Sequence, residues 1–376
     1  MYQIATLNKI SKAGLAQLTP EYMVTEDTAR ADGILVRSAD MLSMEFSSEL
    51  KAIARAGAGV NNIPLDRCAE SGIVVFNTPG ANANAVKELT ISGLLLAARH
   101  IPAALSWAEG LTEDVSKTVE KGKSQFAGTE ISGKILGVAG LGAIGRKVAA
   151  AAQALGMQVR GYDPFFTEET DFPVYEDLKE MLAECDYVTI HIPANDSTKG
   201  MFCKDLFAAM KDGTVLLNFS RDKLVNDVDL LVALETGKVS QYVTDFPNDS
   251  LIGRKGVILL PHLGASTAEA EDNCAVMAVN EIRDYFENGN IINSVNFPKA
   301  DLGPLNGSVR VAFMTKDLDN PLEAMTEHLS EAGIPVKQIV GGNRKGFGYV
   351  LAELDTAEKP GLIFHDEHII SIREIK

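Results

Sequence analysis

The stretch KILGVAGLGAIGRKVAAAAQALGMQVRGYD, Lys134 to Asp163, decides the fold. Ile135 to Ala139 is a short apolar run of the kind a parallel sheet buries on both faces. Gly140, Gly142 and Gly145 follow in the spacing G-x-G-x-x-G. The alanine-rich segment Ile144 to Leu155 then has the composition of a helix. A second apolar run, Met157 to Tyr162, ends on Asp163. Strand, glycine turn, helix, strand and acid together make a dinucleotide-binding half-unit. Gly140 permits the tight turn, Gly142 lets backbone approach a pyrophosphate, and Gly145 lets the helix lie close on the strand. Ala143 and Ile144 open the helix, whose free N–H groups and positive dipole end suit phosphates. Asp163 stands 23 positions after Gly140, where an acid accepts hydrogen bonds from a ribose diol. Its charge repels a 2′-phosphate, which predicts NAD rather than NADP.

Working outward, β/α alternation runs in both directions. Before the glycine turn, Ile4 to Leu7, Gly33 to Val36, Ala52 to Arg55 and Ile73 to Phe76 read as strands, with helical pieces at Phe46 to Leu50 and Leu65 to Glu70. A long apolar helix spans Asn84 to His100, and a more polar one follows Pro102 over 103–124, carrying Trp107. After Asp163, strands are predicted at Asp186 to His191, Thr214 to Phe219, Gln241 to Thr244 and Val257 to Leu260. Helices between them are predicted at Glu176 to Ala183, Lys204 to Met210 and Asp227 to Thr236, with another long one at Ala268 to Glu287. The reading is an α/β protein with two doubly wound parallel-sheet domains. Residues 1–100, completed by about 283–300, form the first, and 101–282 form the Rossmann-type NAD-binding domain. Residues 301–307, DLGPLNG, read as a linker. Residues 308–376 follow a βαββ(α)β order, with no assigned second helix, which makes a C-terminal ferredoxin-like α+β domain.

With 376 residues the chain can hold two or three domains of ~150 residues. Net charge is −16, and the sequence has no basic stripe, so a nucleic-acid partner is not expected. Cys68, Cys185, Cys203 and Cys274 are scattered without a C-x-x-C, as free thiols in a reducing compartment would be. No signal peptide and no apolar run of ~18 residues is seen, so a cytoplasmic protein away from membranes is expected. Apolar helices over 84–124 suggest an association face, hence a homodimer or homotetramer.

Ligands of a doubly wound sheet bind beyond the carboxyl ends of its strands. The polar residues there are Ser220 and Arg221 after one run, Asp245 and then Asp249 after the next, and His262 after Pro261. An arginine can clamp a substrate carboxylate through paired hydrogen bonds. A histidine can take a hydroxyl proton as hydride leaves. A carboxylate can orient that histidine. His191, also at a strand end, reads as scaffold. His365 and His368 lie three apart in a presumed hairpin, on opposite faces, so a metal site is not expected.

At these points the sequence resembles the D-2-hydroxyacid dehydrogenase family over about residues 1–300. The matching stretches are NTPGANANAVKELT (77–90), GVAGLGAIG (137–145), GYDP (161–164), HIPANDSTKGMF (191–202), NFSRDKLVN (218–226), DFPND (245–249) and LPHLGAST (260–267). The resemblance implies that His262 is the acid–base, Arg221 the carboxylate clamp and Asp249 the orienting acid. The family has a glutamate at the third position, one methylene longer, in a longer loop. Asp245 matches a family aspartate near the cofactor. Further cofactor contacts implied are Thr78, Pro193, Phe219, Ser220, Gly264 and Ala265, beside Arg221 and His262. Within the family, LVRSA (35–39) and ARAGAGVNNI (54–63) imply 3-phosphoglycerate as the small anionic substrate, with Arg37 and Ser38 for its phosphate and Arg55 adding charge. Ala58, Gly59 and Val60 would offer backbone N–H groups to its carboxylate. The C-terminal domain resembles an ACT domain, with Asp319-Asn320-Pro321-Leu322 where a Pro-Gly turn is usual, so an assembly role is as well founded as a regulatory one. The alternatives are another small D-2-hydroxy acid, or an NAD-sensing protein without turnover.

Overall fold

The computed structural model spans residues 1–376 and describes all of them except Ala357, Ile363 and His365. The chain divides into two compact units, 1–82 with 268–376, and 83–267.

The first unit opens with five parallel strands, β1 (Tyr2–Thr6), β2 (Tyr22–Thr25), β3 (Gly33–Val36), β4 (Ala52–Arg55) and β5 (Val74–Phe76). Their order in the sheet is β2-β1-β3-β4-β5. Short helices α1 (Lys12–Leu15) and α2 (Leu65–Glu70) connect them. β2 was not expected from the sequence, being four residues long with Met23 and Val24 exposed. The helix expected at Phe46 to Leu50 is absent. That segment forms turns, and the Arg67 guanidinium takes the carbonyls of Leu42 and Met44 just before it.

In the second unit come α3 (Ala83–Ala98), α4 (Ile101–Glu109) and α5 (Val115–Gly122), so the polar helix expected over 103–124 is two helices. Then follow β6 (Ile135–Ala139), α6 (Ala143–Ala154), β7 (Gln158–Tyr162), β8 (Val174–Tyr175), α7 (Leu178–Glu184), β9 (Tyr187–Ile190) and α8 (Lys204–Ala209). The unit ends with β10 (Thr214–Asn218), α9 (Asp227–Glu235), β11 (Val239–Thr244) and β12 (Val257–Leu259). These seven strands form a parallel sheet ordered β12-β11-β10-β9-β6-β7-β8. The order reverses at β6, the strand that feeds the glycine turn, which is where such sheets bind ligands.

The chain then returns to the first unit through α10 (Ala268–Asn288), whose buried face carries Ala275, Ala278, Ile282, Tyr285 and Phe286. Residues 291–300 add to the first sheet beside β5, with Val295 N–H donating to Val75 and Ser294 bridged to Phe76. Four strands, β13 (Val309–Lys316), β14 (Val336–Arg344), β15 (Phe347–Leu354) and β16 (Ile369–Ile375), form an antiparallel sheet ordered β14-β15-β13-β16. α11 (Pro321–Glu331) packs on one face through Met325 and Leu329, against Val311, Phe313 and Val350. The described residues between Leu354 and Ile369 form no helix, and Pro360-Gly361 falls among them.

Two expected boundaries move. α3 lies in the second unit because its apolar side packs on α6, β10 and β11. α10 lies in the first because it packs on α1 and β4. Nor is 301–307 a loose linker. Arg310, 1% exposed, donates to the carbonyls of Asn288, Leu302 and Gly303 and holds the Glu353 carboxylate at 2.8 Å. Tyr349, Leu351 and Ile375 share one apolar core with Tyr285, Phe286 and Phe297. The face of the small sheet opposite α11 is therefore buried on α10.

Candidate active site

The glycine turn has the geometry of a phosphate cradle. Gly140 has φ +98°, and a Cβ there would sit 2.7 Å from the His191 carbonyl. A Cβ on Gly145 would sit 1.9 Å from the Gly140 oxygen. Gly142 is different: nothing lies within 4 Å of its Cβ position. Two glycines thus seal backbone against backbone, and the third leaves room beside the first turn of α6. No side chain caps that helix start, so its N–H groups stay available to an anion. Asp163 ends β7, and its oxygens accept from Leu141 N–H at 2.9 Å and Phe165 N–H at 3.0 Å. Those contacts fix the carboxylate beside the turn with lone pairs left for a diol. The residues present fit a dinucleotide.

His191 closes the back of this turn. Its N–H donates to Ala139, its ring contacts Thr189 Oγ1 at 3.0 Å, and desolvation pushes its pKa down to about 3.

The ends of β10, β11 and β12 carry the remaining groups. Asn218, fully buried, holds the Arg221 carbonyl at 2.8 Å and accepts from Ser220 N–H. Ser220 Oγ donates to the Ile192 carbonyl. Arg221 itself is exposed, with Nη1 donating to the Ser220 carbonyl at 2.6 Å. Phe219 is buried behind it against Gly93.

Asp245 is the keystone of this rim. It is fully buried, its backbone carbonyl accepts from His262 N–H at 2.9 Å, and its Oδ2 accepts from Gly264 N–H at 2.7 Å. Burial raises its pKa, against the pull of Gly264 N–H and of the His262 and Arg221 charges. One carboxylate therefore lies within the field of both cationic candidates. His262 has φ +48°, a left-handed conformation that is costly for a side chain of this size. The two backbone bonds to Asp245 hold the turn that imposes it. The His262 ring also packs against Phe246 at 4.9 Å.

Asp249 is elsewhere. It is exposed, and among the described residues no hydrogen bond or ion pair joins it to His262. Its loop is pinned by Asn248, which donates to Asp227 Oδ2 and accepts from Ser250 and Leu251 N–H. This loop makes its own turn on the first residue of α9, Asp227. Pro193 and Ala265 flank the same unit's strand ends, with the Pro193 carbonyl accepting from Thr198 Oγ1.

In the first unit, Arg37 pairs with Glu271 at 2.7 Å, and Arg55 Nε donates to the Arg37 carbonyl at 3.0 Å. Asn8 Oδ1 accepts from the N–H groups of Arg37, Ser38 and Ala39 at 2.9–3.0 Å, fixing that loop. Among the described residues no acceptor takes the N–H groups of Ala58, Gly59 or Val60, a run of backbone donors suited to an anion. Thr78, fully buried, lies against the Cys274 thiol. His368 Nδ1 contacts the Lys316 carbonyl, while His365 lies outside the described residues. The contacts of Asn8, Glu271, Asn218 and Asp245 do not follow from the sequence pattern. Each acts across a long sequence separation, or through backbone that carries no residue signature.

Comparison with known proteins identifies the kind of domain that carries the glycine turn. The model of the family "D-isomer specific 2-hydroxyacid dehydrogenase, NAD binding domain" matches residues 91–264. D-3-phosphoglycerate dehydrogenase of Synechocystis sp. is 33% identical over 356 residues, covering 90% of this chain. The chain spans 58% of that relative's own length. An NAD⁺-bound 3-phosphoglycerate dehydrogenase of Entamoeba histolytica is 27% identical with a TM-score of 0.64, covering 78% of this chain and 98% of that one. A glyoxylate/hydroxypyruvate reductase of Sinorhizobium meliloti, 24% identical with a TM-score of 0.68 over 78% of this chain and 98% of that one, shares the fold. Residues 91–264 are thus an NAD-binding domain of the D-isomer specific 2-hydroxyacid dehydrogenase kind.

Proposed function

We propose that the chain is an NAD-dependent dehydrogenase that oxidises 3-phospho-D-glycerate to 3-phosphooxypyruvate, the entry step to L-serine. The observation that carries this reading is Asp245, a buried carboxylate whose backbone carbonyl takes the His262 N–H and whose Oδ2 takes the Gly264 N–H on the rim of the sheet that holds the glycine turn. NAD, when bound, supplies the hydride acceptor. Gly142 and the start of α6 hold its pyrophosphate, and Asp163 its ribose. Arg221 pairs with the substrate carboxylate, in part by exchanging its bond to the Ser220 carbonyl for two to the ligand. His262 takes the hydroxyl proton as the C–H bond breaks. Asp245 positions His262 and offsets the charge it gains. In the first unit, taken by itself, Ala58, Gly59 and Val60 offer backbone donors to an anion, and Arg37 with Arg55 are cations suited to a phosphate. The exposed apolar side chains Leu95, Leu105 and Val115 on α3 to α5 support self-association as a homodimer or homotetramer.

A second reading, an unphosphorylated D-2-hydroxy acid as substrate, is favoured by one contact: Glu271 already neutralises Arg37. The test is kcat/KM with NAD for 3-phospho-D-glycerate, D-glycerate and D-lactate, repeated in Arg55→Ala. A large preference for the phosphorylated substrate that collapses in the variant supports the first reading. Equal rates with D-glycerate support the second. No turnover of any of them removes both and leaves an NAD-binding protein.

A further inference from the structure

The first unit holds a pocket of about 590 Å³ along one side of α10, distinct from every residue assigned above to cofactor or substrate. Met277, Glu281 and Asp284 face it from the helix, spaced so that they share one stripe. Phe76 at the end of β5 and Ile292 after the helix complete an apolar wall. The charged side chains that line it, Glu281 and Asp284, are both acidic, so an anion is disfavoured there.

The two acids differ. Asp284 is provided for, with Oδ1 accepting from Asn288 and Asn290 amides at 2.8 and 2.9 Å. Glu281 is not. Only 9% of it is exposed, its Oε1 accepts from Asn293 Nδ2 at 2.6 Å, and its Oε2 has no partner. Native proteins rarely leave a buried carboxylate oxygen unmatched. Burial also pushes this carboxyl up to about 8. A donor arriving from the pocket would repair both deficits.

We propose that this pocket binds an organic ammonium, which donates from its nitrogen to Glu281 Oε2 and lays an apolar body on Phe76, Met277 and Ile292. The charge selects the head, and the wall selects a tail of a few carbons. A metal ion is a poorer occupant, because among the described residues no three His, Cys, Asp or Glu side chains gather for one.

The test uses the full chain with ¹³C-methyl methionine and three probes of equal length: hexylammonium, hexanol and hexanoate. Hexylammonium should move the Met277 methyl resonance saturably. Hexanol and hexanoate should bind at least roughly tenfold more weakly, the worth of one charge-assisted bond. Glu281→Gln should lose the preference for hexylammonium over hexanol, and Ile292→Ser, which strips part of the apolar wall, should weaken the Met277 response. Hexanol matching hexylammonium in the parent chain would overturn the proposal without recourse to a variant. So would an unmoved Met277 methyl, or a Glu281→Gln titration that overlays the parent's.

Discussion

At the scale of the residue, Asp245 and Asp249 part company. Asp245 is buried beneath the His262 turn, and Asp249 stands in solvent on a loop fastened to α9. His262→Ala is expected to lower kcat roughly 10²–10⁴-fold, the usual worth of a positioned acid–base. Asp245→Asn should keep the bond from Gly264 N–H through its amide oxygen yet lose the charge. It should cost more than tenfold in kcat, while Asp249→Asn stays near the parent. Steady-state pH profiles of the three variants check this, and the reverse ranking would return the orienting role to Asp249. Glu281 makes a second prediction. Its folded-state pKa of about 8 lies above the ordinary 4.5, so the native chain holds a proton that the unfolded chain has released. Stability from this group is complete below about pH 4.5 and is lost as pH climbs to about 8. Glu281→Gln should therefore flatten the fall in thermal midpoint across that window, with a gain at pH 8 of up to a few kcal/mol. A parallel decline in both proteins would show the carboxyl to be solvated.

At the scale of the element, the turn between β6 and α6 tolerates change unevenly. Gly145→Ala drives a methyl into the Gly140 carbonyl, where only 1.9 Å is free, and the helix must move off the strand. Loss of measurable NAD binding, with a folded chain by circular dichroism, is the expected outcome. Gly142→Ala meets no protein atom within 4 Å, so it should fold like the parent and weaken NAD binding alone. Fluorescence titration of NADH separates the two. This turn was legible in the sequence because its chemistry is local: every contact that makes Gly140 and Gly145 obligatory lies within a few residues or on the adjacent strand end. Phe46 to Leu50 was misread for the opposite reason. Its composition allows a helix, but the carbonyls ahead of it serve Arg67, more than twenty residues away. The cradle of Asn8 and the pairing of Arg37 with Glu271 are equally invisible to pattern, since 29 and 234 residues separate the partners.

At the scale of the whole molecule, three sheets and most of their strands followed from alternation, whereas the strand order, the short strands β2 and β8 and the division into units did not. Alternation places strands and helices, but it does not say which sheet a connecting helix packs against. α3 and α10 both join one half of the chain to another, and each belongs with the half that its apolar face covers. The first unit is accordingly discontinuous. Tyr2, Tyr22 and Phe76 from one end of the chain share their core with Tyr285, Phe286 and Tyr349 from the other. That core has a consequence for synthesis on the ribosome. At roughly 5–20 residues per second, the residues up to Asn82 wait on the order of 15–60 s for α10 and the last sheet to emerge. The middle of the chain, born second, is the first able to finish folding. Ribosome-arrested chains ending near residue 300 should show residues 83–267 resistant to protease while the leading 82 are still cut. Early protection of that leading segment would mean it hides its aromatic face on its own.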